Sequence, residues 1–489
     1  MLKRLQYPFF VFLLAPFFVL NGFTDNLGFV PVIDALKLLG VYLAATLILF
    51  IASYLVFRNK VRAAIFSFCL MALHFFFGAI HDTLKDSFND TLISRYKILL
   101  PLIGISILLL LFFLLKTKKT FRRFTLYLNL VLIIFILIEI VTLSYKSIFL
   151  KNNNKIKIDR EFTICNNCEL PDLYVIIADE YAGRQSLMEV FNFDNDHFLQ
   201  SLQSRGFRVL PKSNSNYNFT PYSIASTLNM NYLGNAYRTQ QELLNHTYTT
   251  TRNNALLQFM MAQGYVFYNY SLLDYPNYPS HAQSTFLPVK TRLITSQTFL
   301  SRVSRDLRFN LITKFKSEKE KKRVVYTPLK NNEELMQLTE NISSIKTKKP
   351  KFILTHLMMP HYPYYFNKNG EPYPYEQLTE GNQVNKGNYI EYLQYSNGRL
   401  LRLIDEIKKN SEKPPVIVLM SDHGFRHLGN DADPSHFFDN LIALHIAGSE
   451  YTKYHDTISN VNLFRTLLNN QFNQKLNYLA DSTFIMENP

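Results

Sequence analysis

Five apolar runs crowd into the start of this chain, at about 7–24, 36–57, 62–80, 98–115 and 125–144, and no comparable run follows. Each is near the length needed to cross roughly 30 Å of hydrocarbon as a helix. In lipid every backbone N–H and C=O must be satisfied within its own segment, so runs of this kind are confined to helices. The 489 residues therefore divide near residue 150. The expectation is a transmembrane domain of five helices over 1–148, a polar linker over 149–170, and a second domain over 171–489. The first run follows Lys3 and Arg4 as a signal peptide would. No clean small-residue cleavage site comes after it and four more spans do, so it reads as an anchor.

Basic residues set the expected orientation. Lys3 and Arg4 precede the first run, Arg58, Lys60 and Arg62 separate the second from the third, and Lys116, Lys118, Lys119, Arg122 and Arg123 separate the fourth from the fifth. The other connections, around Asp25 and from Asp82 to Asp90, are acidic or mixed. The positive-inside rule places the N-terminus in the cytoplasm. Five crossings then put everything after about residue 148 outside an inner (plasma) membrane, as a multi-pass protein. Most of the net charge of +14 lies in these basic connections and is spent on topology. A further run at 314–323 (KFKSEKEKKR) reads first as a solvated helix face and second as a contact for anionic lipid head groups. Neither the composition nor the placement fits a nucleic-acid module.

Of three cysteines, Cys69 lies inside the third run. Cys165 and Cys168 form a C-x-x-C that fits a small disulfide loop or a pair of free thiols better than zinc, because no further ligands stand nearby.

Beyond the linker, continuous apolar runs of strand length occur at 172–178, 265–270, 351–358, 415–420 and 441–446. Strands without polar alternation are buried on both faces. Helical patterns separate them, as at 392–408 with Leu393, Leu400, Leu403 and Ile407 on one face. The alternation predicts an α/β domain with a central, mostly parallel sheet flanked by helices. Residues 285–345 read as an insertion or surface excursion, and 461–472 as a helix near the C-terminus.

The chemistry gathers where such strands end. Asp179-Glu180 closes the first strand and Ser421-Asp422-His423-Gly424 another, at the edge where an open α/β sheet places its ligands. Carboxylate oxygens with an imidazole nitrogen suit a divalent cation, and mixed O/N donors admit zinc, manganese or magnesium, as one ion or two. Between them in sequence, Thr220 stands before Pro221 at a predicted helix start, where threonine is a good N-cap and proline a good first residue. As a plain cap it does nothing more. As a nucleophile it would face the positive end of the helix and need a metal to activate it. His361, following a strand, and His436, thirteen residues after His423, could supply a second cation site or a proton.

These segments resemble the alkaline phosphatase/sulfatase superfamily, and most of all its membrane-anchored branch of phosphoethanolamine transferases and lipoteichoic acid synthases. The resemblance is carried by Pro171 to Glu180, Asn218 to Met230, His356 to Pro363 and Ser421 to Gly424, in that order behind five spans. It implies that Asp179, Asp422 and His423 bind the metal, that Thr220 is both nucleophile and ligand, and that His361 and His436 are substrate-side or second-metal histidines. Glu180 occupies the place of a second acidic ligand. The C/S-x-P-x-R signature of sulfate-ester enzymes is missing at Thr220-Pro221-Tyr222-Ser223, which turns the expectation toward phosphoryl chemistry. Implied is transfer of a phospho-head-group from a membrane lipid to an envelope glycan or lipid through a phosphothreonine. A hydrolase of phosphate or sulfate esters, and an inactive envelope scaffold, stand as alternatives.

Overall fold

The structure, a computed structural model, describes residues 6–27, 29–87, 95–152, 162–234, 240–283, 291–306, 318–378, 381–428, 432–446 and 451–486. Part of the expected linker (153–161) and the start of the basic run (314–317) lie outside the described residues. The chain forms two compact units, Met1–Asn154 with Pro288–Ser317, and Lys155–Leu287 with Glu318–Pro489.

The first unit contains five apolar helices: α1 (Phe10–Asp25), α2 (Val32–Phe57), α3 (Lys60–Ser87), α4 (Tyr96–Lys116) and α5 (Arg122–Asn152). The last four are long and apolar enough to cross a membrane, while α1 is shorter, at 16 residues. Aromatic rings lock α1 to α3, with Phe18 stacked on Phe75 at 4.2 Å. Two short helices from the middle of the sequence, α11 (Arg292–Thr295) and α12 (Phe299–Asp306), belong to this unit. The Gly78 amide donates to Gln297 O at 2.8 Å, Phe299 meets Phe77 edge-on at 4.9 Å, and Arg302 pairs with Asp82.

In the second unit a six-stranded sheet runs in the order β2-β6-β5-β1-β4-β3. The strands are β1 (Leu173–Ala178), β2 (Arg208–Val209), β3 (Val266–Tyr270), β4 (Lys351–Leu357), β5 (Val416–Met420) and β6 (Ile442–His445). β1 pairs in parallel with β4 and β5, and β3 with β4, whereas β6 runs antiparallel to both its neighbours, β5 and β2, at one edge. The sheet is therefore mixed. The five longer strands, β6 included, are those read from continuous apolar runs; the two-residue β2 is too short to leave such a signal.

Alternation sorts each strand onto two cores. Tyr174, Ile176 and Ala178 of β1 join Ile417 and Leu419 of β5 in one, while Leu173, Val175 and Ile177 join Val416, Val418 and Met420 in the other. The first core is covered by α7 (Asp196–Ser204), α13 (Glu318–Ser344) and α14 (Lys386–Asn410). The second is covered by α8 (Thr220–Asn229), α10 (Ala255–Ala262) and α15 (Asn460–Gln471). Two further helices, α6 (Arg184–Glu189) and α9 (Gln240–Arg252), flank these. Each fully buried leucine or phenylalanine here contributes roughly 1.5–3 kcal/mol of transfer free energy.

Two expectations need correcting. Residues 318–344 are not a surface excursion. They form α13, which buries Leu335, Met336 and Ile342 and joins Thr339 to Thr355 of β4 at 2.7 Å. Its polar sequence hid a narrow apolar stripe. The described end of the expected linker is likewise packed, with Phe162, Cys165 and Leu170 against the second core. Cys165 and Cys168 form a disulfide there.

Candidate active site

Ends of the parallel strands build the site. β1 stops at Ala178, and the Asp179 amide donates to Leu357 O of β4 at 3.0 Å. Glu180 then turns the chain in the left-handed region, φ 60°, which a non-glycine residue rarely occupies. That turn aims the Glu180 amide at Asp422 Oδ1, 3.1 Å away beyond β5. The Tyr181 amide donates to Ser421 Oγ at 2.9 Å, and Ser421 Oγ donates to His423 O at 2.6 Å. The Asn440 side chain donates to Ser421 O and that of Asn460 to Asp422 O. Main-chain and side-chain bonds thus tie the two loops into one rigid floor.

Gly424 is needed here for space. A Cβ on it would lie 2.3 Å from His436 O and 2.6 Å from Asp439 O, so the close approach of two backbones requires glycine here. Gly424→Ala is expected to cost about 3 kcal/mol by overpacking. A thermal melt beside the unaltered chain checks this; an unchanged melting temperature would refute it.

On that floor sit two groups of potential ligands. Asp179, His356 and Asp422 bring ligand atoms within 4.8 Å of one another, as do Glu180, His361 and His427. His356 Nε2 lies 3.1 Å from Asp179 Oδ2. His423 Nδ1 faces Gly424 O at 2.8 Å, which assigns its proton to Nδ1 and leaves the Nε2 lone pair free. That Nε2 stands 3.3 Å from Thr220 Oγ1 and 3.4 Å from Asp422 Oδ2. His361 is arranged in the same way, Nδ1 on Tyr362 O at 2.5 Å and Nε2 3.7 Å from Glu180 Oε2. Burial opposes ionisation of Asp179 and Glu180. Contacts with His361, His356 and His423 for the first, and with His427, His361 and Arg426 for the second, outweigh it and hold both carboxyls below their ordinary range. Burial lowers His427, which favours the neutral ring a ligand needs.

Three carboxylate oxygens in this cluster, Asp179 Oδ1, Glu180 Oε2 and Asp422 Oδ2, are buried with no hydrogen-bond partner among the described residues. Buried carboxylates are normally paired or coordinated. Orphaned oxygens beside a free imidazole lone pair fit a divalent cation, with oxygen and nitrogen donors in the combination such ions take.

Thr220 does not cap its helix. Phe219, extended at φ −131° and ψ 139°, is the N-cap residue, and Thr220 is the first residue of α8 with Pro221 behind it. Its hydroxyl is directed to His423 instead. The segment before it is held by the C-terminal stretch: Asn216 donates to Ser482 O, and Asn218 bonds Met486 through both its amide nitrogen and its oxygen. Asp179, Glu180, Thr220, Asp422, His423 and His361 thus meet in one place. His436 stands in another set of contacts, with Nδ1 3.0 Å from Ser186 Oγ and Nε2 3.8 Å from Glu189 Oε2, and neither ligand group includes it. Sequence reasoning passed over His427 and Arg426. Their only signal was position, immediately after Ser421-Asp422-His423-Gly424.

A model of the sulfatase family matches residues 197–470, more than half of the sequence. The chain belongs to the sulfatase family. Thr220, His361, Asp422 and His423 lie inside the matched region, and β1 with Asp179 and Glu180 precedes it. No curated protein matches this sulfatase-family chain. Solved structures similar to it include the C-terminal periplasmic domain of EptC from Escherichia coli, at 14% identity over 63% of this chain and 84% of that one, TM-score 0.39. Another is the C-terminal periplasmic domain of phosphoethanolamine transferase EptC from Campylobacter jejuni, at 17% identity over 67% and 99%, TM-score 0.35. A third is the integral membrane lipooligosaccharide phosphoethanolamine transferase A from Neisseria meningitidis, at 13% identity over 97% and 96%, TM-score 0.38.

Proposed function

We propose that this sulfatase-family enzyme is a membrane-anchored, metal-dependent phosphotransferase that moves a phospho-head-group from a lipid donor to a hydroxyl on an envelope glycan or lipid. One observation carries the reading: a helix-start threonine whose Oγ1 is 3.3 Å from a free imidazole lone pair, beside carboxylate oxygens that lack partners. Asp179, Thr220, Asp422 and His423 would hold the cation, with Glu180, His361 and His427 available to a second. A bound divalent cation supplies a lowered hydroxyl pKa and neutralises phosphoryl charge.

The chain's own residues do the rest. Thr220 Oγ1 forms a bond to phosphorus and gives up its proton, while the bond from phosphorus to the lipid alcohol breaks and that oxygen gains one. His361 Nε2, on the more exposed side of the cluster, is the base that relays the proton when no second cation takes its lone pair. The acceptor hydroxyl then attacks the phosphothreonine, which restores Thr220 and returns a proton by the same route. Backbone N–H groups at the start of α8 favour the negative charge carried on Thr220 between the two steps. The basic connections of the first unit support an N-terminus in the cytoplasm and the catalytic unit outside, where donor lipid and envelope acceptor both lie.

The test uses the full-length protein in vesicles of phosphoethanolamine and phosphoglycerol lipids with zinc, manganese or magnesium and no acceptor. A head-group adduct on the peptide containing Thr220, detected by mass spectrometry together with released diacylglycerol, is the expected result. Diacylglycerol with free phospho-head-group and no adduct under any quench would make the enzyme a hydrolase. Intact lipid with every metal would sink the reading.

A further inference from the structure

We infer that Arg426 is the side chain that grips the phosphoryl oxygens of the substrate beside Thr220, a specificity role that rests on the phosphotransfer reading. Its guanidinium carbon stands over the Phe219 ring, 4.5 Å from the centroid, and Phe219 is the residue from which α8 and Thr220 start. That cation–π contact holds the guanidinium over the residue that precedes Thr220, so its N–H fork is presented next to the nucleophile.

Arg426 is held close to a buried carboxylate without closing on it. Its Nε is 3.7 Å from Glu180 Oε1, and its Nη2 is 3.4 Å from His361 Nε2. Elsewhere in the same unit arginines close fully onto their carboxylates: Arg184 on Asp196 at 2.7 and 2.9 Å, and Arg205 on Asp405 at 2.7 and 2.9 Å. The near oxygen of Glu180 accepts the Arg426 backbone amide at 3.2 Å. The fork therefore keeps donors for something else. An arginine fork matches the spacing of phosphoryl oxygens, and it stays charged at every working pH.

Exposure points to what approaches. The floor is closed, with side chains of Asp179, Glu180, Asp422 and His423 at 0–1%. The rim is open: Arg426 at 20%, His427 at 22% and His361 at 16%. A phosphoryl group reaching Thr220 passes this rim, where Arg426 places a permanent positive charge. Charge spread over the equatorial oxygens of a transferring phosphoryl group is what such a donor stabilises.

The test compares the unaltered full-length protein with Arg426→Met and Arg426→Lys, each loaded with zinc and assayed for metal content. Binding of inorganic phosphate is measured by titration calorimetry, and turnover is measured on bis(p-nitrophenyl) phosphate. Phosphate affinity is expected to fall about tenfold in Arg426→Met and nearly as far in Arg426→Lys, since lysine keeps the charge but loses the fork. Diester turnover falls by roughly 100-fold in Arg426→Met. Unchanged phosphate affinity in both variants at full zinc occupancy would overturn the inference and leave Arg426 as a counter-charge for Glu180. If Arg426→Met loses zinc or fails to fold, Arg426→Lys decides, because its charge beside Glu180 is intact. Absence of diester turnover by the unaltered protein counts against the phosphotransfer reading alone, and the phosphate titration still judges Arg426.

Discussion

Thr220→Ala removes phosphodiester turnover by roughly 10³-fold or more, the scale on which enzymes with a covalent intermediate lose activity when the nucleophile is deleted. The variant is otherwise mild. Thr220 is buried at the first turn of α8, where alanine is a good helix former, and its hydroxyl bonds only His423 Nε2 among the described contacts. The melting temperature should therefore move little. Thr220→Ser keeps the hydroxyl and gives up one methyl, about 0.8 kcal/mol of burial, so it retains measurable turnover and still forms the adduct. Kinetics on a chromogenic diester with the three proteins side by side decide the matter. Full activity in Thr220→Ala would mean that the acceptor attacks the donor directly, and the two-step scheme would be abandoned.

The parts of this molecule legible in its sequence are those governed by local periodicity. Apolar runs near the length of a membrane span announced the helices of the first unit, and continuous runs at 172–178 and 415–420 announced strands buried on both faces. Because parallel strands carry their ligands at one end, Asp179 and Asp422 could be placed together before any coordinates. What could not be read depends on tertiary partners. The polar α13 covers the sheet through Leu335, Met336 and Ile342, a stripe too narrow to outweigh its lysines and glutamates. The capping role offered for Thr220 was reasonable from Thr-Pro alone, and only the position of His423 on another strand's loop shows where the hydroxyl points. The same holds for Gly424, whose necessity comes from the carbonyls of His436 and Asp439, residues that sequence distance separates from it. His427 and Arg426 carried no pattern of their own. They join the site because the chain after Gly424 runs back past Glu180.

Asp422→Asn separates a metal ligand from a structural carboxylate by reversing the order of two melting temperatures. Asp422 Oδ1 accepts the amides of Glu180 and His423 at 3.1 and 3.0 Å, bonds that an asparagine oxygen can keep. Asp422 Oδ2 has no hydrogen-bond partner and lies 3.4 Å from His423 Nε2. An asparagine Nδ2 there would donate to that lone pair and satisfy both atoms. Without metal the unaltered protein brings Asp179 and Asp422 together in one buried cluster with an oxygen of each lacking a partner, which is costly. The chelated variant should therefore melt at or above the chelated parent. With zinc at about 100 times its dissociation constant, linkage adds about 2.7 kcal/mol to the parent, or roughly 5 °C for a unit of this size. The variant, having lost an anionic ligand, gains little. The parent thus becomes the more stable of the two only when metal is present. A variant that melts lower than the parent by the same amount with and without zinc would show Asp422 to be a packing residue. The metal centre would then have to be sought in Glu180, His361 and His427.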